Sequence, residues 1–146
     1  MAGKILLEVI TPDRLVVREE VDMVVATGIE GEFGVLPNHA PLLCLLQIGE
    51  GRYKKDGKTE YMAIIGGVVE VFENKMTILA DAAELAREID LKRAMEARER
   101  AIKRLRQREK IDVARAEAAL RRAMVRLKVA QRAGLIESIL PESISE

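Results

Sequence analysis

Apolar positions follow two different rhythms along this chain, and the change falls near residue 81. Before it, short β-rich apolar runs alternate with turn chemistry. Residues 4–10 form one run, closed by Thr11-Pro12-Asp13, and residues 21–27 form the next. The glycine-spaced stretch Gly28-Ile29-Glu30-Gly31-Glu32-Phe33-Gly34 reads as a loop. Pro37 and Pro41 bracket Asn38-His39-Ala40 ahead of an apolar run over 42–48, and Gly49-Glu50-Gly51 turns the chain into 52–55. Asp56-Gly57 is the strongest hairpin signal, because a type I′ turn needs positive φ at both central positions. Runs over 59–65, 68–72 and 76–80 complete the series, separated by Gly66-Gly67 and Glu73-Asn74-Lys75. This spacing predicts eight to ten strands, mostly joined by hairpins, in an antiparallel sandwich or barrel.

From Asp81 to Ala133 there is neither Gly nor Pro, no aromatic residue, and a predominance of Ala, Arg, Glu, Lys, Leu and Met. These are the strong helix formers. The segment Ile89-Asp90-Leu91-Lys92-Arg93-Ala94 recurs 22 positions later as Ile111-Asp112-Val113-Ala114-Arg115-Ala116. In each copy an Asp suited to an N-cap follows an apolar residue, an arrangement that starts helices. The pattern predicts helices over 90–106 and 112–132, with 107–111 too short for anything but an antiparallel hairpin. Gly134 stands where a C-cap belongs. Leu91, Ala94, Met95, Ala101, Ile102 and Leu105 form the apolar stripe of the first helix. Val113, Ala116, Leu120, Ala123, Met124, Leu127 and Ala130 form that of the second. Both stripes are narrow and rich in Ala, so the expected hairpin buries little apolar surface and is able to open. The domains expected are a β unit over 1–84, a helical hairpin over 85–133 and a tail over 134–146.

Charge sharpens this division. The net charge of zero conceals 8 basic against 12 acidic residues over 1–80, then 16 against 9 over 81–132, then three Glu in the tail. A hairpin of net +7 on an acidic partner points to an anionic ligand or surface. If the connection centres near Glu109, Arg122 and Arg126, four apart on one face, lie across from the Asp90–Arg93 turn, with Arg100 two turns further along. Such arginines suit phosphate, whose oxygens they grip bidentately. The same spacing is equally that of a solvated face of ion pairs above an ordinary N-cap, and spacing alone leaves both readings open.

Several chemistries are excluded. A single cysteine, Cys44, allows no internal disulfide and reads as a small buried hydrophobe. No apolar run approaches the roughly 20 residues that span a bilayer. The N-terminal run is too short and too quickly polar for a signal peptide, which predicts a cytosolic or peripheral protein. The stretch Gly51 to Thr59 imitates a phosphate loop, but five residues separate its glycines instead of four and a strand follows it. His39 is the only histidine, so neither a metal site nor a catalytic triad can be assembled around it. An enzyme finds no nucleophile with a base and no paired carboxylates. A basic-helix nucleic-acid module is the competing class; the missing aromatics and the interleaved acids argue against it.

One resemblance is carried by Gly31-Glu32-Phe33-Gly34-Val35-Leu36-Pro37-Asn38-His39-Ala40-Pro41-Leu42, by Gly66-Gly67-Val68-Val69-Glu70-Val71 and by Thr77-Ile78-Leu79-Ala80-Asp81. In order and separation, over about residues 5–130, the chain resembles the epsilon subunit of bacterial F-type ATP synthase. The resemblance implies an α+β protein, an N-terminal ten-stranded antiparallel β-sandwich followed by a C-terminal α-helical hairpin. It implies a non-catalytic rotor subunit, peripheral on the cytoplasmic face of the bacterial membrane, that couples proton-driven rotation to ATP synthesis. Its partners would be the gamma subunit, the c-ring and the alpha and beta subunits of the catalytic head, with no nucleic acid. Gly31 and Glu32 would face the c-ring. The hairpin would open to contact acidic beta-subunit segments and block ATP hydrolysis. The family's motif Ile/Leu-Asp-x-x-Arg-Ala is matched by Ile89, Asp90, Arg93 and Ala94, and its further ATP-contacting positions by Glu84, Arg100, Arg122 and Arg126. ATP would then be a regulatory ligand favouring the closed, non-inhibitory hairpin, with no metal or prosthetic group.

Overall fold

A computed structural model of the chain describes residues 3–107 and 112–136. The chain divides into two compact units, Met1–Leu85 and Ala86–Glu146.

The first unit is a single sheet of seven strands among the described residues: β1 (Ile5–Ile10), β2 (Leu15–Val21), β3 (Met23–Gly28), β4 (Gly31–Val35), β5 (Leu42–Lys55), β6 (Lys58–Phe72) and β7 (Lys75–Leu85). Their order across the sheet is β2-β1-β7-β6-β5-β3-β4. All neighbours are antiparallel except β1 and β7. The sheet folds over on itself, bringing β2 near β5. The Asp22 amide donates to the Lys54 carbonyl at 2.8 Å, and Lys55 Nζ reaches Glu19 Oε2 at 2.6 Å.

The strand count differs from the expected ten, for a physical reason. β5, β6 and β7 are 14, 15 and 11 residues long, and each changes phase midway. In β7 the buried side chains are Met76, Ile78 and Ala80, then Ala83 and Leu85. In β6 they pass from Met62 and Ile64 to Val69 and Val71, and in β5 from Leu46 to Tyr53. The slips fall at one level, since Ile48 pairs with Ile65 and Ile65 with Ala82. That level is the line along which the sheet bends, so each long strand serves both layers. Glycines stand beside the line: Gly66 at φ 67 and Gly67 at φ 127 adopt backbone conformations that L side chains avoid.

Two further expectations are corrected. Residues 15–21, passed over in the sequence, form β2, whose Arg18-Glu19-Glu20 run hides its alternation; it is an edge strand, where charge is ordinary. The glycine-spaced loop is instead a tight hairpin in which Gly28 pairs with Gly31 and β4 closes the opposite edge.

Glu8 lies on β1 among apolar neighbours and is 9% exposed. Lys75 Nζ approaches its Oε1 at 2.8 Å and Arg18 Nε its Oε2 at 3.7 Å. The Lys75 hydrogen bond holds the Glu8 carboxyl below the ordinary glutamate range, against the opposing effect of desolvation. A lowered folded-state pKa contributes stability that is present above the unfolded value of about 4.3 and is lost as pH falls through the folded one. Urea melts of the wild type should therefore weaken on acidification, and Glu8→Gln should flatten that dependence. Parallel pH profiles for the two proteins would remove Glu8 from this role.

Among its described residues the second unit holds a 3-10 turn at Ala86–Glu88, then α1 (Leu91–Arg106) and α2 (Val113–Arg132). The helices pack against each other, and α2 also reaches the Ala86–Glu88 turn. The connection expected at 107–111 lies, past Gln107, outside the described residues, as does the tail from 137.

Candidate functional site

Asp90 caps α1: its Oδ1 accepts the Arg93 amide at 3.0 Å, from an extended backbone at φ −79, ψ 97. Asp112 does the same at α2, accepting the Arg115 amide at 3.1 Å from φ −80, ψ 101. The repeated motif is therefore first a device for starting helices, satisfying an amide that has no partner inside the helix. Ile89 and Ala94 are buried, while Asp90, Arg93 and Arg100 are exposed. Arg122 and Arg126 are half-buried on one face of α2. α1 and α2 pack against each other, with Arg93 and Arg100 on the first and Arg122 and Arg126 on the second. Glu84 belongs to the other unit, half-buried on β7 opposite Ala63.

One hairpin residue escaped the sequence reading. Arg98 is 1% exposed and occupies the place in the α1 stripe between Ala94 and Ala101. Its Nη2 reaches Glu99 Oε1 at 3.4 Å. Stripe counting skips a charged residue, although the spacing 94, 98, 101, 105 carries the helical period.

The β unit presents a second surface, assembled by register alone. Leu45, Val68, Leu79, Ile10 and Leu15 are successive cross-strand partners, so they form one outward row over five strands. Leu45 is 56%, Leu79 50% and Leu15 49% exposed. On the next row Leu43, paired with Glu70, is 72% exposed. At the β3–β4 turn Ile29 is 59% exposed, and behind it runs a groove of about 670 Å³ lined by Phe33, Leu42, Cys44 and Leu45 among others. Glu32 is exposed and faces Arg52 Nη1 at 3.5 Å; Gly31 is exposed at φ 126. Contiguous exposed apolar side chains of this kind are the sort of surface on which proteins bind partners.

The chemistry elsewhere is quiet. Cys44 faces the inner row that Val69, Ile78, Val9 and Val17 continue. It is half-buried; burial, with the Glu30 charge adding, pushes its thiol up, the opposite of an activated nucleophile. His39 Nδ1 lies 2.6 Å from the Ala40 carbonyl oxygen. Among the described residues no three His, Cys, Asp or Glu side chains gather to hold a metal, and no helix is long and apolar enough to cross a membrane.

Residues 4–86 match the family model for the ATP synthase delta/epsilon chain β-sandwich domain, and residues 87–131 match that for the long α-helix domain of the same family. The chain belongs to the ATP synthase delta/epsilon family. A relative from Desulfitobacterium hafniense (strain Y51), named ATP synthase epsilon chain, is 53% identical over 131 residues, 90% of this chain and 99% of its own length. Relatives of the same name in Nitratidesulfovibrio vulgaris and Symbiobacterium thermophilum are 52% and 56% identical, over 84% and 85% of this chain and 92% and 91% of theirs. Among solved structures, a chain of the Euglena gracilis mitochondrial ATP synthase (OSCP/F1/c-ring) matches with a TM-score of 0.66 at 24% identity, covering 93% of this chain and 84% of that one. A chain of the Tetrahymena thermophila mitochondrial ATP synthase central stalk and c-ring matches at 0.53 and 16%, covering 90% and 97%. These two likenesses speak to the fold.

The delta/epsilon family boundary near residue 87 falls at the division between the two compact units. A β-sandwich domain followed by a helical domain is thus the order in which this chain matches the delta/epsilon family.

Proposed function

We infer that this epsilon-type chain, a non-catalytic subunit of an F-type ATP synthase, sits in the central stalk with its β unit against the gamma subunit and the c-ring. The outward row from Leu45 to Leu15 and the Ile29 tip supply apolar area for those two partners, and Gly31 and Glu32 stand at the end offered to the ring. The rotor passes the turning of the ring to the alpha and beta subunits of the catalytic head, from the cytoplasmic face of the membrane. The helical hairpin is the regulatory part. Opened, it lays its basic face along acidic beta-subunit surfaces and stops ATP hydrolysis; closed, it releases them. ATP held by Arg93, Arg122 and Arg126 beside the Asp90 cap exists only in the closed form, so the nucleotide favours that form through differential affinity.

The observation that carries this reading is the match of both units, in order, to one family whose bacterial members are named ATP synthase epsilon chain. Purification of the assembled synthase in mild detergent should bring this chain with it in defined stoichiometry; its absence would remove the stalk assignment. Deleting residues 88–146 should raise ATP hydrolysis by the assembled enzyme. Unchanged hydrolysis would remove the inhibitory role while leaving the stalk role standing.

A further inference from the structure

The turn that joins β3 to β4 has two residues, Ile29 and Glu30, and both are exposed. Glycines flank it. Gly28 pairs with Gly31, which holds φ 126, and neither offers a Cβ to restrain the backbone. β4 is an edge strand with β3 as its one neighbour among the described residues. The direction of the tip therefore depends on how β3 is tied to β5.

That tie is irregular just where the tip begins. β3 follows β5 from Met23 with Lys54 to Val25 with Arg52, and the register then jumps to Gly28 with Leu46. Two side chains strap the strands together across the jump. Thr27 Oγ1 donates to the Glu50 carbonyl at 2.9 Å, and Gln47 Nε2 donates to the Gly28 carbonyl at 2.8 Å. Past the jump, the Ile29 amide donates to the Leu45 carbonyl at 3.1 Å. On the returning leg Glu32 meets Arg52 Nη1 at 3.5 Å, and a largely exposed pair of that kind contributes little. Gln47 is itself exposed and takes no part in the core. Its strap to Gly28 is thus separable from the packing of the sheet.

We propose that Gln47 is a positioning residue for docking of the β unit: its hydrogen bond to Gly28 sets the direction in which the tip, residues 29–32, projects toward its partner. A tip already held in its docked direction gives up less conformational freedom when the partner covers it. One net hydrogen bond corresponds to about a fivefold change in an equilibrium constant. Loss of the strap therefore loosens the tip while the sheet behind it stays folded. That the partner belongs to an ATP synthase rests on the function proposed above; that Gln47 holds the tip does not.

The test compares the full chain with three of its variants. Gln47→Met is neutral and of similar length but has no proton to donate, and Gln47→Lys restores a donor. Thr27→Val removes the other strap and leaves the one to Gly28. Hydrogen exchange followed by NMR should show the Ile29 amide opening about fivefold more often in Gln47→Met, and at the wild-type rate in Gln47→Lys and Thr27→Val. A synthase depleted of this chain, titrated with each labelled form, should bind Gln47→Met about fivefold more weakly than wild type and the other two normally. Thr27→Val should melt below wild type all the same, which separates docking from stability. Unchanged Ile29 exchange in Gln47→Met, faster exchange with undiminished docking, or failure of Gln47→Lys to restore both overturns the proposal. If the wild type does not rebind the depleted synthase, the stalk reading fails, and exchange at Ile29 still decides whether Gln47 holds the tip.

Discussion

Gly67→Ala is expected to destabilise the β unit by about 3 kcal/mol or more, lowering its melting temperature by roughly 15 °C in thermal circular dichroism. Two effects add. The residue holds φ 127, which an L side chain rarely adopts, and a Cβ there would lie 2.2 Å from the Leu79 carbonyl oxygen and 2.7 Å from the Ala80 Cα. The obstacle is backbone, on the neighbouring strand, so relief requires β6 and β7 to part beside the line where both strands change phase. Gly57→Ala separates the two effects. It too has positive φ, at 80, but nothing lies within 4 Å of its Cβ position, so only the conformational strain of about 1 kcal/mol remains. Melting of Gly67→Ala at the Gly57→Ala temperature would show that the close approach is relieved at no cost and that the bend is soft.

The second large effect concerns nucleotide. Arg122→Ala with Arg126→Ala is expected to weaken ATP binding to the isolated chain by more than about a hundredfold, since each lost hydrogen bond to a charged group is worth about 1.5–3 kcal/mol. Asp90→Asn is the informative companion, because Asn caps a helix nearly as well as Asp while lacking the carboxylate charge. A carboxylate that acts only as the cap leaves ATP affinity close to wild type in this variant; one that also orders the nucleotide site through its charge does not. Asp112→Ala should cost about 1 kcal/mol of helix stability by losing its cap and leave affinity unchanged. Calorimetry of the wild type at millimolar ATP comes first: no heat of binding there removes the sensing mechanism, whatever the variants do.

Much of the fold was legible in the residues, and the departures have definite causes. The helices fall almost where capping chemistry sets them, because Asp90 and Asp112 act locally and each spans only one turn. The Asp56-Gly57 hairpin stands for the same reason, with φ 51 and 80 at its two positions. The long strands look like several short ones in the sequence because each phase slip interrupts the period of two, and Gly49, Gly51, Gly66 and Gly67 look like turns. In three dimensions they are close-approach points inside continuous strands: at Gly49 a Cβ would meet Thr27 at 2.6 Å, and at Gly51 it would meet Ile64 at 2.7 Å. β2 was invisible because its exposed face is charged.

The candidate sites divide along the same lines. The Ile89 to Ala94 motif is contiguous and can be read directly. The row from Leu45 to Leu15 is a product of pairing between five strands, and no single segment betrays it. Arg98 is illegible in the sequence because a guanidinium at a core position interrupts the apolar period of α1.

The three long strands also fix how the β unit answers to force. β5 and β6 remain paired from Leu42 with Val71 to Lys55 with Lys58, so a pull along them loads the whole ladder in shear, many bonds at once. A pull across the edge at β4, five residues held by β3 alone, would open its bonds one after another like a zip. A twisting element built this way stays stiff along its length and frays first at the β3–β4 end, where Ile29 sits.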